Sequence, residues 1–544
     1  MNRTIGIALV AVATLAPTGA HASDKQDFER CDGRVHPGKQ DDGMRGAAST
    51  GRFSALLGAQ SASVEACTRA LASPRLLPTQ TLRRAHLLRA RAAAHLQAGA
   101  TAKAVEDLDQ AEAATAALAS DRFFQRSMAV SVKLLRALAK AQSDDLTGAV
   151  PLAQAAMQAR PYSLQVQQVA AGLLQAARPV GAASASPWLS VSRLDPSYAA
   201  TALIKEAEVG NFTGVLSLRP AVTLDWPAAP VKPVGFALRD TGMQGMLSAL
   251  LVSLHTAYAR AATGDTAGAK RDLAELRTRL AALRAPADAA APAAVLPALW
   301  TGIDRYVELR TRQVEARVAV AEGRAGEAVA ALIASPMPRD AATVDLLKAM
   351  KTAMPAKDAA LVPDAAPFEA ESLAERRKSL AASVPAALIA PETPRAVVDY
   401  ERARPNILGA LVAGALSMGT SLLGGIDRTD GFRSTNNPDG TIKVEFIGNT
   451  PSAALVQEMT LLRAAEVAKA AGKPSFVIVD RKDFTRRLST TQYGTEISSV
   501  PTGYKTELTI RCVDAGTDPA RALDAIAIID ALGPLYYETK PVKT

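Results

Sequence analysis

From about residue 61 to residue 353, apolar residues recur at helical spacing between breaks of Gly, Asp, Ser and Pro. That pattern limits the chain more than any other feature, because short amphipathic helices in series can bury their apolar faces only against one another. The clearest unit runs from Leu88 to Gly99 and continues through Ala104, Leu108 and Ala111. Ala92 is small where two helices cross closely. Gly99 ends the first helix in the left-handed conformation that side chains disfavour. Ala104 is small where the second helix returns, and Leu108 and Ala111 face the interior of the pair. The same spacing returns at Ala257, Gly264, Ala269 and Leu273, and at Ala316, Gly323, Ala328 and Leu332. Ala137, Ala149, Ala153 and Ala156, closing at Pro161, repeat it without the glycine. Composition agrees: 48% of residues are apolar but only 4% aromatic, which suits close packing through small side chains.

This spacing resembles the tetratricopeptide repeat (TPR), a helix–turn–helix unit of 34 residues. The intervals between Gly99, Gly210, Gly264 and Gly323 vary, and the signature aromatic positions are mostly lost, so the array is degenerate. Ser63–Leu71 resembles the second helix of an earlier unit, as in exported bacterial repeat proteins with a cysteine at that place. The resemblance implies a concave surface lined by the first helix of each pair. By position it places Arg89, Ala93, Leu134, Leu138, Leu254, Tyr258, Gln313 and Arg317 on that surface, as residues that would bind peptide segments.

Met1–Ala22 has one positive residue, Arg3, an apolar run from Ile5 to Leu15, and Ala20-His21-Ala22 before Ser23. This reads as a secretory signal peptide and predicts export to the periplasm or cell envelope. Three cysteines exclude a disulfide-rich scaffold and an all-cysteine metal site. Export predicts that Cys31 and Cys67 pair, which stabilises a loop of about 35 residues by about 3–4 kcal/mol. Cys512 shares a strand face with Leu508 and Ile510 and reads as a buried thiol. A net charge of +9 over 544 residues is too mild for a nucleic-acid partner.

Residues 354–404 read as an Ala/Pro-rich linker containing one charged helix over Phe368–Ser383. No charge occurs between Arg404 and Asp427, so 405–426 predicts one uncharged hydrophobic helix. Its length suffices for a single membrane pass. Gly409, Ala413, Gly414, Ala415 and Gly419 equally suit close docking on another helix.

Residues 430–544 read as a small α/β domain. Strands are expected at Ile442–Phe446, Phe476–Val479 and Tyr504–Val513, and helices from Thr450 to Ala471 and from Asp518 to Leu532. Phe476–Val479 is apolar throughout, as in a strand buried on both faces. Gly431-Phe432, Val444–Thr450, Leu461–Glu466, Gly472 and Phe476–Asp480 together resemble a domain of short, uncharacterised alphaproteobacterial lipoproteins. That resemblance implies an envelope location and supplies no catalytic residues. The lipidated cysteine of that family is missing here. Asp480, at the end of an apolar strand, is the candidate ligand contact. Arg463 and Glu466 are one turn apart and suited to pair.

The expected fold is mainly α: a signal peptide (1–22), a TPR-like α-solenoid (23–353), the linker, the uncharged helix, and the α/β domain. No phosphate-binding glycine loop, zinc helix motif or paired-carboxylate signature is present, so no catalytic residue, metal or cofactor is assigned. The function that fits is a non-enzymatic, exported interaction scaffold, with envelope proteins or their peptide segments as partners, and with 405–426 open to membrane association or to docking on another helix. The alternatives are an envelope sensor whose α/β domain binds a small ligand, and an enzyme.

Overall fold

The computed structural model describes residues 24–32, 63–227, 241–284, 295–334, 337–392, 431–448, 452–492 and 495–537. The signal peptide and the 405–426 helix therefore lie outside the described residues. Among the described residues no helix is long and apolar enough to cross a membrane.

The chain is mainly helical with a small antiparallel sheet at its C-terminal end. Helices α1 (Asp24–Asp32) and α2 (Val64–Ala72) pack together and onto α3 (Thr81–Gln97). Four consecutive pairs carry the repeated spacing: α3 with α4 (Thr101–Ala114), α6 (Met128–Gln142) with α7 (Leu146–Ala159), α12 (Thr241–Ala262) with α13 (Thr266–Leu283), and α14 (Val295–Ala321) with α15 (Ala325–Ala334). Between them lie α5 (Arg122–Arg126), α8 (Leu164–Ala177), α9 (Trp188–Leu194), α10 (Ala199–Val209) and α11 (Phe212–Leu218). Helix α16 (Ala341–Ala353) and α17 (Ala366–Lys378) follow. The small residues picked out by spacing are buried at the pair interfaces, including Ala92, Ala104, Ala137, Ala149, Ala257, Ala269, Ala316 and Ala328.

The turns repeat a local chemistry. Gly99 and Gly264 sit at φ +73° and +92°, and Asp144 takes the same left-handed place, at φ 61°, between α6 and α7, where there is no glycine. After Asp144, Gly210 and Gly264 the next residue caps the second helix: Asp145, Asn211 and Asp265 accept from the amides of Gly148, Gly214 and Gly268, whereas Ala100 after Gly99 makes no side-chain cap. Each cap is followed three residues on by a glycine, and a Cβ on Gly268 would lie 2.1 Å from Asp265 Oδ2, so the capping side chain would have to shift.

The stretch read as a linker departs from expectation. Helix α17 covers most of the charged helix predicted over 368–383. After it, Ser379–Ser383 and Pro385–Ala387 form short 3-10 turns, and Leu380, Val384, Ala387, Leu388 and Ile389 are buried in the same core as α3, α6 and α8. An Ala/Pro-rich composition resembles spacer, but its apolar residues have found a helical face to cover.

The sheet has the order β1-β2-β4-β3-β5, from β1 (Gly431–Asn436), β2 (Ile442–Gly448), β3 (Ser475–Gln492), β4 (Thr495–Val513) and β5 (Leu523–Asp524), all antiparallel. Helices α18 (Ala453–Ala470) and α19 (Ala525–Tyr536) pack together, and α18 covers the sheet. Several expectations are corrected. Strands β3 and β4 run well beyond the apolar segments that announced them. Val479 is 40% exposed, because it is the extra residue at the register shift between Ile478 and Asp480. Helix α18 is capped by Ser452, and α19 begins after a cap at Asp524, seven residues later than Asp518 suggested. Cys512 is half-buried. The domain shares its core with Leu164, Ala171, Val191 and Leu194, so it is seated on the helical array.

Candidate functional site

Helices α3, α6 and α8 lie side by side, and residues 380–392 run across them as a strap. The strap is held largely by side chains of the array acting on its main chain. Arg89 Nη1 donates to the Ile389 carbonyl at 2.5 Å. Ser131 Oγ donates to the Ala387 carbonyl and accepts the Ile389 amide at 3.3 Å. Gln165 Nε2 donates to the Ala386 carbonyl at 2.7 Å, and Ser127 Oγ accepts the Glu392 amide at 3.0 Å. Contacts of this kind satisfy a buried, irregular backbone that has no ladder of its own.

Arg89 is 0% exposed, and burial pulls its pKa down to about 9 against the coulombic support of Asp32. Its Nη2 lies 2.8 Å from His86 Nδ1, and His86 Nε2 lies 3.7 Å from Asp32 Oδ2. Asp32 also pairs with Arg83 at 3.0 Å. Asp32 follows Cys31, which is disulfide-bonded to Cys67 with the Cα atoms 4.7 Å apart. The disulfide thus seats α1 so that its carboxylate backs the arginine that grips the strap.

The strap ends at a buried charge cluster. Glu392 accepts from Arg160 Nη2 at 2.6 Å and lies 3.4 Å from Arg126 Nε. The same two arginines hold Glu458 of α18: Arg160 Nε at 2.8 Å, and Arg126 Nη2 in a direct pair. Tyr536 of α19 donates to Glu458 at 2.7 Å, and Arg126 stacks over its ring. Two positive and two negative groups balance in a site closed to water. Burial alone would raise the Glu458 pKa. The pull of Arg126 and Arg160 outweighs it and brings the value down to about 2. Burial pushes the Tyr536 hydroxyl well above its usual range, reinforced by the Glu458 charge. Array, strap and C-terminal domain therefore meet at one cluster.

The predicted groove residues need correction. Arg89, Ala93, Leu134 and Leu138 are buried, with Leu134 and Leu138 following Ser131 at i+3 and i+7 on α6. Leu254 and Tyr258 are buried in the second half of the array, where Tyr258 OH donates to Asp345 Oδ2 at 2.9 Å and to the Ala342 carbonyl. Arg317, its side chain 12% exposed, donates to the same Asp345 at 2.9 Å, and Gln313 donates to Asp340 and Thr343. These three face α16. The strap covers the first set and α16 the second, so none of these residues lines an open groove.

Asp480 lies opposite Thr509 in the register and Asp483 opposite Thr506, so the two point to opposite sheet faces. Asp480 pairs with Lys482 at 3.1 Å in solvent, whereas Asp483 joins Arg481, which donates to the Leu194 carbonyl at the contact with the array. Asp480 is thus an exposed carboxylate paired along its own strand, and Asp483 lies on the other face. Arg463 and Glu466 pair at 3.0 Å, and Tyr537 donates to Glu466 at 2.8 Å.

Among the described residues, no group of three or more His, Cys, Asp or Glu is placed to hold a metal. A surface hollow of about 370 Å³ beside α13, α14 and α15 carries charges that are largely paired, such as Lys270 with Glu322 and Arg277 with Glu315. No family model, curated protein or solved structure matches the chain.

Glu392, Glu458, Arg126 and Arg160 had no signal in the sequence. They are separated by up to 332 residues, and each is an ordinary charged residue in its own neighbourhood. Only the rarity of fully buried charge marks them, and burial is a property of the fold.

Proposed function

We propose that the protein is an exported, non-enzymatic scaffold of the bacterial cell envelope, whose TPR-like array receives segments of partner proteins. One observation carries this reading: the face of α3, α6 and α8 accommodates an irregular chain segment through side-chain contacts to its main chain. Such contacts fix a segment's path with little demand on its sequence, as peptide-binding surfaces do. The Cys31–Cys67 pair supports residence in an oxidising compartment. The degenerate repeat spacing and the lipoprotein-like motifs of the C-terminal domain support the same location.

The test is purification of the tagged full chain from envelope and cytosolic fractions, with mass spectrometry of what co-purifies. A reproducible envelope partner that cross-links to the helical array is the expected result. Location in the cytosol, or no partner above an unrelated exported control, would refute the scaffold.

A further inference from the structure

We infer that the face of α3, α6 and α8 is a docking site for a partner segment of the same chemistry as residues 380–392, and that these residues fill it in cis while the C-terminal domain is seated. The inference rests on the scaffold reading and names the partner's character and what admits it.

The strap shows what the face selects. Its buried residues are Leu380, Val384, Ala387, Leu388 and Ile389, and its carboxylate is Glu392. An occupant therefore carries apolar side chains at positions one, five, eight, nine and ten and an acidic residue at thirteen. Ser383 lies against Gly172 of α8, where a Cβ would stand 3.7 Å from Ser383 Oγ. Arg89, Ser131, Gln165 and Ser127 read only the main chain, so they would grip a foreign segment equally well.

The strap's release is coupled to the C-terminal domain through the charge cluster. Arg126 and Arg160 serve Glu392 and Glu458 together. When α18 withdraws Glu458 and α19 withdraws Tyr536, water reaches the arginines, and the Glu392 contact weakens from a buried pair to a screened one. A partner segment then competes with a strap that has lost its anchor.

The test uses the full chain and a fluorescent synthetic peptide of residues 377–394. Val384→Asp with Leu388→Asp expels the strap and leaves the face intact. The peptide should bind this variant at least about tenfold more tightly than the unaltered protein, whose site is rarely open. Adding Arg89→Ala should weaken that binding. Equal affinity for both proteins, or no binding to a folded double variant, would overturn the inference. Mixed native mass showing strap-exchanged dimers would overturn it in favour of a second copy as occupant.

Should the double variant fail to fold, hydrogen exchange on the unaltered protein decides. The Ile389 and Glu392 amides should exchange faster than those of α6, and Glu458→Gln should speed them further. Exchange at the rate of α6 would make the strap a permanent part of the core. Peptide binding without any envelope partner would leave the docking site standing and sink the scaffold; a partner recovered through another surface would do the reverse.

Discussion

Replacing Glu458 with Gln tests the charge cluster most directly. The side chain keeps its shape but loses its charge, leaving Arg126 and Arg160 buried with Glu392 as their one carboxylate. Glu458 is 0% exposed and accepts from Arg126, from Arg160 twice, and from Tyr536. Breaking one partner of such a set costs about 3–5 kcal/mol, because an uncompensated cation stays out of water. Proton linkage yields a similar magnitude. The Glu458 pKa falls from 4.5 to about 2, and about 1.4 kcal/mol per unit makes this about 3–4 kcal/mol. The sign follows from the depressed value: the contribution is present above pH ~4.5 and is lost as pH falls through that value toward 2. Trp188 packs partly against the C-terminal core and can report docking. Urea unfolding of a Trp226→Phe/Trp300→Phe background, read by Trp188 fluorescence, should show Glu458→Gln destabilised at pH 7 and a flatter dependence between pH 5 and 2. Adding Arg126→Gln restores the balance and should recover more than about 1 kcal/mol. A loss below about 1 kcal/mol in the single variant, or no recovery in the pair, would refute the reasoning.

Three further outcomes follow from the geometry. Cys31→Ser with Cys67→Ser should lower stability by about 3–4 kcal/mol and loosen the Arg89 end of the strap; free thiols at both positions in periplasmic protein, found by alkylation and mass mapping, would remove the basis for this. Gly268→Ala forces its Cβ onto the Asp265 cap and should cost about 1–2 kcal/mol in thermal melts, so an unchanged melting point would count against the capping account. Tyr258→Ala empties a buried site and strips Asp345 and the Ala342 carbonyl of a donor, so it should cost about 3–5 kcal/mol; a fully stable variant with weakened partner recovery would return Tyr258 to an open groove.

Local chemistry was legible in the sequence, because it needs only neighbours. Small alanines at the crossings, glycine in the left-handed turns, and the Cys31–Cys67 pairing followed from spacing and compartment. So did the Arg463–Glu466 turn pair and the order of β2, α18, β3, β4 and α19, though neither β1 nor β5 was anticipated. What escaped was everything that depends on which distant surfaces meet. The same Leu134 or Tyr258 satisfies helical periodicity whether it faces a partner or the chain itself, so residue type could not separate groove from core. Residues 380–392 read as spacer because their composition resembles one, and only the apolar faces of α3, α6 and α8 turn them into a strap. Strands β3 and β4 outran their apolar cores because pairing with each other continues their hydrogen bonding past the point where burial ends. The cluster of Arg126, Arg160, Glu392 and Glu458 exists only in three dimensions: four charges from three distant stretches tolerate burial because each closes the others' electrostatic deficit, and no stretch of sequence contains that sum.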